Sequence, residues 1–248
     1  MKNLSFLALA AVALFSSLPA QAYVITFGST NTNVAGGDQS GKTTPFANAA
    51  NVAQAGVFVE TFGKSITSEG CKLDYASSQI AISGSYSLGV GNVGSIAAAP
   101  AGDSTCFAFS PGLGGSLPAD VKVDFKNILK AGEGLDYFGV YYGSIDTFND
   151  MSFLDKNGNV HAITGLDLLA ALNGTSGNQT ANSSNIYVNI EFAPAEQFTS
   201  ISFKTSNYAF EIDNLAVRVA SNTVPEPGSI ALLGLGLGAL VLSRRKKN

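Results

Sequence analysis

The sequence predicts an all-β protein, a two-sheet antiparallel β-sandwich of jelly-roll type with one short helix. Three observations carry that expectation. Apolar residues alternate in short runs separated by clusters of Gly, Ser, Thr and Asn, the pattern of antiparallel strands with one face buried. No long stretch shows the 3.6-residue apolar period of an amphipathic helix. Once the two ends are set aside, about 200 residues remain, a length at which a β-sandwich commonly forms a single domain. The expected division is therefore a leader at 1–22, a sandwich at 23–222 and a C-terminal segment at 223–248.

The leader reads as a secretory signal peptide. Lys2 supplies a weakly basic start, Leu4 to Phe15 is apolar, and Ala20-Gln21-Ala22 is a small-residue cleavage site ahead of Tyr23.

In the body, strands are expected at Tyr23–Phe27, Val57–Phe62, Gln79–Ser83, Thr105–Ser110, Val121–Lys126 and Asp136–Ser144. Five more are expected at Met151–Asp155, Asn159–Thr164, Ile186–Phe192, Phe198–Thr205 and Tyr208–Val219. Eleven strands imply two packed sheets. Between Asn31 and Gln54 the chain lacks apolar periodicity and reads as a long surface loop. Asn157-Gly158, between two strand-like runs, predicts a type I′ hairpin. "ITGLDLLAALNG" predicts the helix, with Thr164 as N-cap, Asp167 three residues on, Ile163 stapled against Leu168 and Gly174 as the stop. Its expected place is one end of the sandwich. The polar loop Asn173 to Asn185 follows, and its Asn-x-Ser/Thr triplets read as ordinary loop composition.

Charge and cysteines bound the function. Five of the 14 Lys and Arg and one of the 18 Asp and Glu lie in the end segments, leaving the body nine basic against seventeen acidic residues, a net −8. Such a surface repels phosphate backbones, so nucleic acid is not an expected partner. Cys71 and Cys106, in an exported chain, are expected to form a disulfide.

The C-terminal segment has three parts. Pro225 and Pro227 hold Glu226 extended, Gly228 to Leu242 is an apolar run, and Arg244, Arg245, Lys246 and Lys247 close it. The run falls short of the roughly 20 residues of a comfortable spanning helix, and a transmembrane segment at 228–242 would rely on bilayer thinning or on snorkelling of the basic cluster. Basic residues just after a span favour the cytoplasmic side, which places the body outside. Val224-Pro225-Glu226-Pro227-Gly228, the apolar run and the basic end together resemble the PEP-CTERM sorting signal of Gram-negative bacteria. The resemblance implies an exosortase, a membrane cysteine transpeptidase, as partner, with the inner membrane as the place of sorting and the cell surface or matrix as destination.

The body also resembles exosortase-dependent surface proteins over Ala98–Ser110, Tyr137–Phe153, Ile163–Gly174 and Phe210–Asn214. It departs from them at Tyr142, a position where such proteins often carry Trp. Ice binding, a label the tail can attract, would need a flat threonine-rich face, and the Thr spacing shows no such repeat.

Candidate chemistry is sparse. Glu211 and Asp213 are two apart and share one strand face, with Phe210 and Ile212 on the other. Side by side they could remain solvated, hold calcium or act as an acid and base. No cofactor is otherwise implied. Asp103, Asp136, Asp146 and Asp150 have turn or capping readings. His161 is the only histidine, too few for a usual zinc site, and is expected at the surface. No nucleophile elbow or phosphate loop is present. Tyr137, Phe138, Tyr141 and Tyr142, interrupted by Gly139 and Gly143, could face a sugar ring or pack in the core. The expected function is that of an exported surface or extracellular-matrix protein with a structural or binding role and no catalysis. A carbohydrate-binding module using Tyr137, Tyr141 and Tyr142, with extracellular polysaccharide as partner, is the first alternative. A secreted glycoside hydrolase using Glu211 with Asp213 is the second.

Overall fold

Val121 and Val123 face the core while Lys122 is turned outward, and the same two-residue period runs through Asn149–Asp155, where Met151 and Phe153 are buried and Ser152 and Leu154 only partly so. Strand periodicity thus sets the architecture. The computed structural model describes residues 23–35, 37–63 and 70–220. The expected signal peptide, transmembrane segment and sorting signal lie outside the described residues.

The first strands are β1 (Tyr23–Phe27), β2 (Thr30–Asn31), β3 (Lys42–Thr43), β4 (Val57–Glu60), β5 (Ala81–Gly84), β6 (Ser87–Val90) and β7 (Cys106–Ser110). They are followed by β8 (Ala119–Asp124), β9 (Leu135–Gly143), β10 (Asn149–Asp155) and β11 (Val160–Thr164). Helix α1 (Gly165–Leu172) precedes β12 (Ile186–Phe192), β13 (Phe198–Thr205) and β14 (Phe210–Val219).

One series of antiparallel pairs runs β1-β12-β9-β14. The free edge of β14 is shared: Phe210–Ile212 pairs with β7, and residues 215–218 pair with β4, while β6 lies outside β7. The second series runs β11-β10-β13-β8-β5. A pairing of Phe198 with Leu135 joins the two series, so twelve strands form one curled antiparallel sheet, and β2 with β3 forms a small second one. The core between the series is aromatic. Phe138 meets Phe153 at 5.2 Å and Phe198 at 6.4 Å between ring centroids, and Tyr142 stacks on Phe210 at 4.5 Å.

β9 and β14 are buried on both faces, with β9 showing only Asp136 partly exposed. The reason is the segment expected as a surface loop. Thr32, Asp38, Ser40, Thr43, Thr44 and Asn51 are all buried, and the segment lies over the outer face of β9 and β14, held by side-chain hydrogen bonds. Polar residues can cover a sheet when each donor finds a partner there.

β14 carries a one-residue bulge. Asp213 pairs with Tyr141 and Ala216 with Gly139, and between them Asn214 adopts φ 47°. Asn tolerates this left-handed conformation better than most side chains.

Two local expectations need correction or refinement. At Asn157-Gly158 only Gly158 takes a positive φ (90°), Gly158 N donates to Asp155 O at 3.1 Å, and Asp155 N donates to Asn159 O at 2.9 Å. The hairpin is thus a type I turn with a glycine bulge, not type I′. Asp155 decides the geometry, its Oδ1 accepting from the backbone N of Asn157 and of Asn159, both at 2.8 Å. The helix begins as expected, with Thr164 and Asp167 forming a reciprocal capping box, and it ends at Asn173 in the left-handed region (φ 48°), one residue before Gly174.

Candidate functional site

Tyr137, Tyr141 and Tyr142 are almost wholly inaccessible, at 1%, 0% and 0% exposure. They offer no groove to a sugar ring. Tyr142 points into the aromatic core, whereas Tyr137 and Tyr141 point to the covered outer face. Tyr137 Oη lies 2.8 Å from Thr44 Oγ1 and donates to Asn189 Oδ1 at 2.7 Å. Tyr141 Oη donates to the carbonyl of Ala101. The intervening glycines make room for the protein itself. A Cβ at Gly139 would meet Tyr137 Oη at 2.2 Å and Tyr187 Cε1 at 2.8 Å, and one at Gly143 would meet Pro100.

Glu211 and Asp213 do share one face of β14, but it is not solvated: they are 3% and 0% exposed. Each meets different company. Glu211 Oε1 accepts from Ala98 N at 3.1 Å, and Oε2 accepts from Ser144 Oγ at 3.0 Å. Burial, the largest influence, pushes its carboxyl up to about 8 against the pull of these two donors. Ser144 takes φ 36°, an uncommon conformation for a non-glycine residue, fixed by Asn185 Oδ1 accepting from its N–H at 2.9 Å.

Glu211 and Ser144 line a cleft of about 600 Å³ between loops that contribute Asn92–Ala98, Asp146, Phe148, Gln179 and residues 207–209. Asp146 is a second acid there; its Oδ1 accepts from Ser176 Oγ at 2.8 Å and burial raises its pKa. Tyr208, 44% exposed, and the half-buried Phe148 supply aromatic surface. The cleft thus combines a buried, mostly neutral carboxyl, a second acid, rim amides and two aromatic rings, an arrangement suited to a neutral polar ligand.

Asp213 belongs to another group. Asp38, from the covering segment, and Asp103, from the turn before β7, influence its ionisation, and Asp103 lies within hydrogen-bonding reach of it. Burial above all, and then Asp103, raise the Asp213 pKa well above the ordinary carboxylate range, and burial likewise pushes Asp103 up to about 6. Asp103 also keeps the turn role expected of it, Oδ1 accepting from Thr105 N at 2.8 Å.

The remaining sequence candidates have structural roles. Asp136 Oδ1 accepts from Arg218 Nε at 2.8 Å, and Arg218 Nη2 reaches Glu191 at 2.7 Å. His161 is only 20% exposed at its side chain, less open than expected, because its Nε2 lies 3.2 Å from Asp155 Oδ2. Cys71 and Cys106 form the expected disulfide, with S–S 2.07 Å. Sequence reasoning passed over Asp38 and Ser144. The Gly-Asp-Gln-Ser turn around Asp38 was visible but gave no hint that it would fold over β14.

Comparison with known proteins adds a single firm point. No curated protein matches the chain. A solved structure of CpGH89CBM32-4, produced by Clostridium perfringens, in complex with glcNAc-alpha-1,4-galactose, is 14% identical over 56% of this chain and 88% of that one, with a TM-score of 0.32, too low to carry an argument. Residues 223–247, beginning one residue before the Val-Pro-Glu-Pro-Gly run, match the family model for the PEP-CTERM protein-sorting motif, and the chain therefore carries that sorting motif at its C-terminal end.

Proposed function

We propose that this is an exported protein of the cell surface or extracellular matrix, delivered by its signal peptide, sorted by an exosortase through the C-terminal motif, and acting there through a binding or structural body without catalysis. The match at 223–247 is the observation that carries the sorting part of the reading. Glu226, flanked by Pro225 and Pro227, is the group a membrane transpeptidase would read, and the basic residues from Arg244 to Lys247 would favour the cytoplasmic side after the apolar run. The disulfide supports an oxidising destination.

The body supports a jelly-roll reading. β7-β14-β9-β12 and β8-β13-β10-β11 form two interleaved four-stranded series, and from β7 to β14 every connection except β10 to β11 crosses between them. Loops at one end of such a fold commonly form binding sites. Carbohydrate recognition therefore moves from the buried tyrosines to the cleft around Glu211, where Phe148 and Tyr208 could stack on a sugar face.

Export is tested by comparing the natural chain with Pro225→Ala/Glu226→Ala in the producing cell. The natural protein is expected at the surface or in the medium and the variant in the inner membrane; identical distributions would refute sorting through the motif. For the cleft, purified protein on a glycan array is expected to lose its signal with Tyr208→Ala, and a blank array for the natural protein would leave the structural role alone. Release of reducing sugar from a bound glycan would refute the non-catalytic part.

A further inference from the structure

Asp103 and Asp213 meet as two acids from distant parts of the chain. Asp213 is 0% exposed on β14, and Asp103, in the turn before β7, brings its side chain within hydrogen-bonding reach. One oxygen of each is occupied. Asp103 Oδ1 accepts from Thr105 N at 2.8 Å and from Thr105 Oγ1 at 2.7 Å, and Asp213 Oδ1 accepts from Asn214 N at 2.6 Å. The Oδ2 atom of each is buried and receives no hydrogen bond from any N–H or hydroxyl group. Two bare carboxylate oxygens cannot bond to one another, whereas a single proton between them satisfies both and removes one of two like charges.

No described side chain supplies a countercharge. Asp38, from the covering segment, adds a third acid whose Oδ2 is also buried without a partner. Tyr141 of β9 and Tyr187 of β12 face the pair as phenols that burial keeps neutral. Lys42 turns its Nζ to Asn185 O at 2.9 Å and lies 5.3 Å from the Tyr141 ring centre. Glu211, on the same face of β14, is taken up by Ala98 N and Ser144 Oγ. No ion pair joins a described Lys, Arg or His to Asp38, Asp103 or Asp213.

The pair sits where the covering segment is fastened. Ser104 N and Ser104 Oγ both donate to Gln39 O at 3.2 Å, and Tyr141 Oη donates to Ala101 O. Asn214 Nδ2 donates to Ser40 Oγ at 2.6 Å and to Lys42 O at 2.8 Å. We propose that a proton shared by Asp103 and Asp213 is a clasp that holds the turn before β7, and with it the 31–54 segment, on the outer face of β14, and that loss of this proton opens the clasp. Opening transfers the proton to water and leaves two carboxylates in contact, beside Asp38, where burial shields them from solvent. The turn is pushed off β14, and the covering segment loses both Ser104 donors.

Burial above all raises Asp103 to about 6 and Asp213 well above the ordinary value of 3.8, so the folded protein holds these protons more tightly than the unfolded chain. The contribution of the pair is fully present below 3.8 and is lost as pH rises, first through about 6, where Asp103 ionises against a protonated Asp213, and then through the higher Asp213 value, where the shared proton leaves. The clasp depends neither on the cleft nor on sorting.

The test is amide hydrogen exchange of the full-length protein, each rate divided by the intrinsic rate at the same pH. Between about pH 5 and about pH 10, protection within 31–54 is expected to fall at least about tenfold more than protection of β10 and β13. Asp103→Asn keeps the oxygen that accepts from Thr105 and puts an amide N–H where the proton stood, so its protection should not vary with pH; should that variant not fold, Asp213→Asn does the same from the other side. Asp103→Ala is expected to lose the protection at every pH. Glu211→Gln should retain the fall. A natural protein whose 31–54 protection does not change with pH would overturn the proposal, as would an undiminished fall in the Asn variants or its disappearance in Glu211→Gln.

Discussion

Asn51 Nδ2 donates a 2.7 Å hydrogen bond to Asn214 Oδ1, joining residues 163 positions apart in the chain. Asn214 occupies the left-handed bulge of β14, so one side chain both tolerates the backbone and receives the covering segment. Asn214→Ala removes these bonds and leaves buried partners unsatisfied. The expected loss is about 2–3 kcal/mol, read from chemical denaturation. Greater proteolysis within 31–54 should accompany it, whereas an unchanged protease pattern would mean the segment is held by something else.

The Cys71–Cys106 bridge closes a separation of 35 residues. On the chain-entropy model a loop of that length contributes about 4 kcal/mol. Cys71→Ser/Cys106→Ser should lower the midpoint of thermal unfolding by roughly 10 °C, at 2–4 °C per kcal/mol for a domain of this size. Reducing the natural protein should reproduce the shift.

Tyr137 is predicted to matter for stability and not for ligand capture. Tyr137→Phe keeps the ring that packs edge-on against Phe46 at 4.8 Å, but it strands Thr44 and Asn189. The expected cost is about 1–3 kcal/mol with glycan binding unaltered, measured by urea unfolding beside the array.

Glu211 gives stability a pH dependence. Its folded-state value, about 8, lies above the ordinary 4.5, so the folded protein holds the proton more tightly than the unfolded chain. Its contribution is fully present below pH 4.5 and is lost as pH rises through about 8. The thermal unfolding midpoint of the natural protein should therefore fall as pH rises across that window. Glu211→Gln, which retains an acceptor for Ser144, should flatten its share of the slope; parallel slopes in the two proteins would show that Glu211 is not responsible.

How much of this was legible in the sequence depended on what buried each residue. Tyr23–Phe27, Ile186–Phe192 and Phe198–Thr205 fall where their alternation placed them, because one apolar face decides the register. The capping box at Thr164 and Asp167 was legible because the interaction is local. Ser87–Val90 was missed, being four residues with a central glycine and little periodicity. The outer face of β9 and β14 was the larger gap. Thr, Ser and Asn in 31–54 bury it through hydrogen bonds between residues far apart in sequence, and polar composition alone reads as solvent exposure. That same gap made the tyrosines look available, and it concealed the company that Asp213 keeps.

The central claim, export with sorting through residues 223–247, is most directly tested by mass spectrometry of the protein recovered from the outside of the producing cell, reading its first and last residues. The account predicts a chain that begins at Tyr23, contains the oxidised cysteine pair and ends within the sorting motif, upstream of the basic cluster. A chain recovered from the cytosol with Met1, reduced cysteines and Lys247 all present would contradict it.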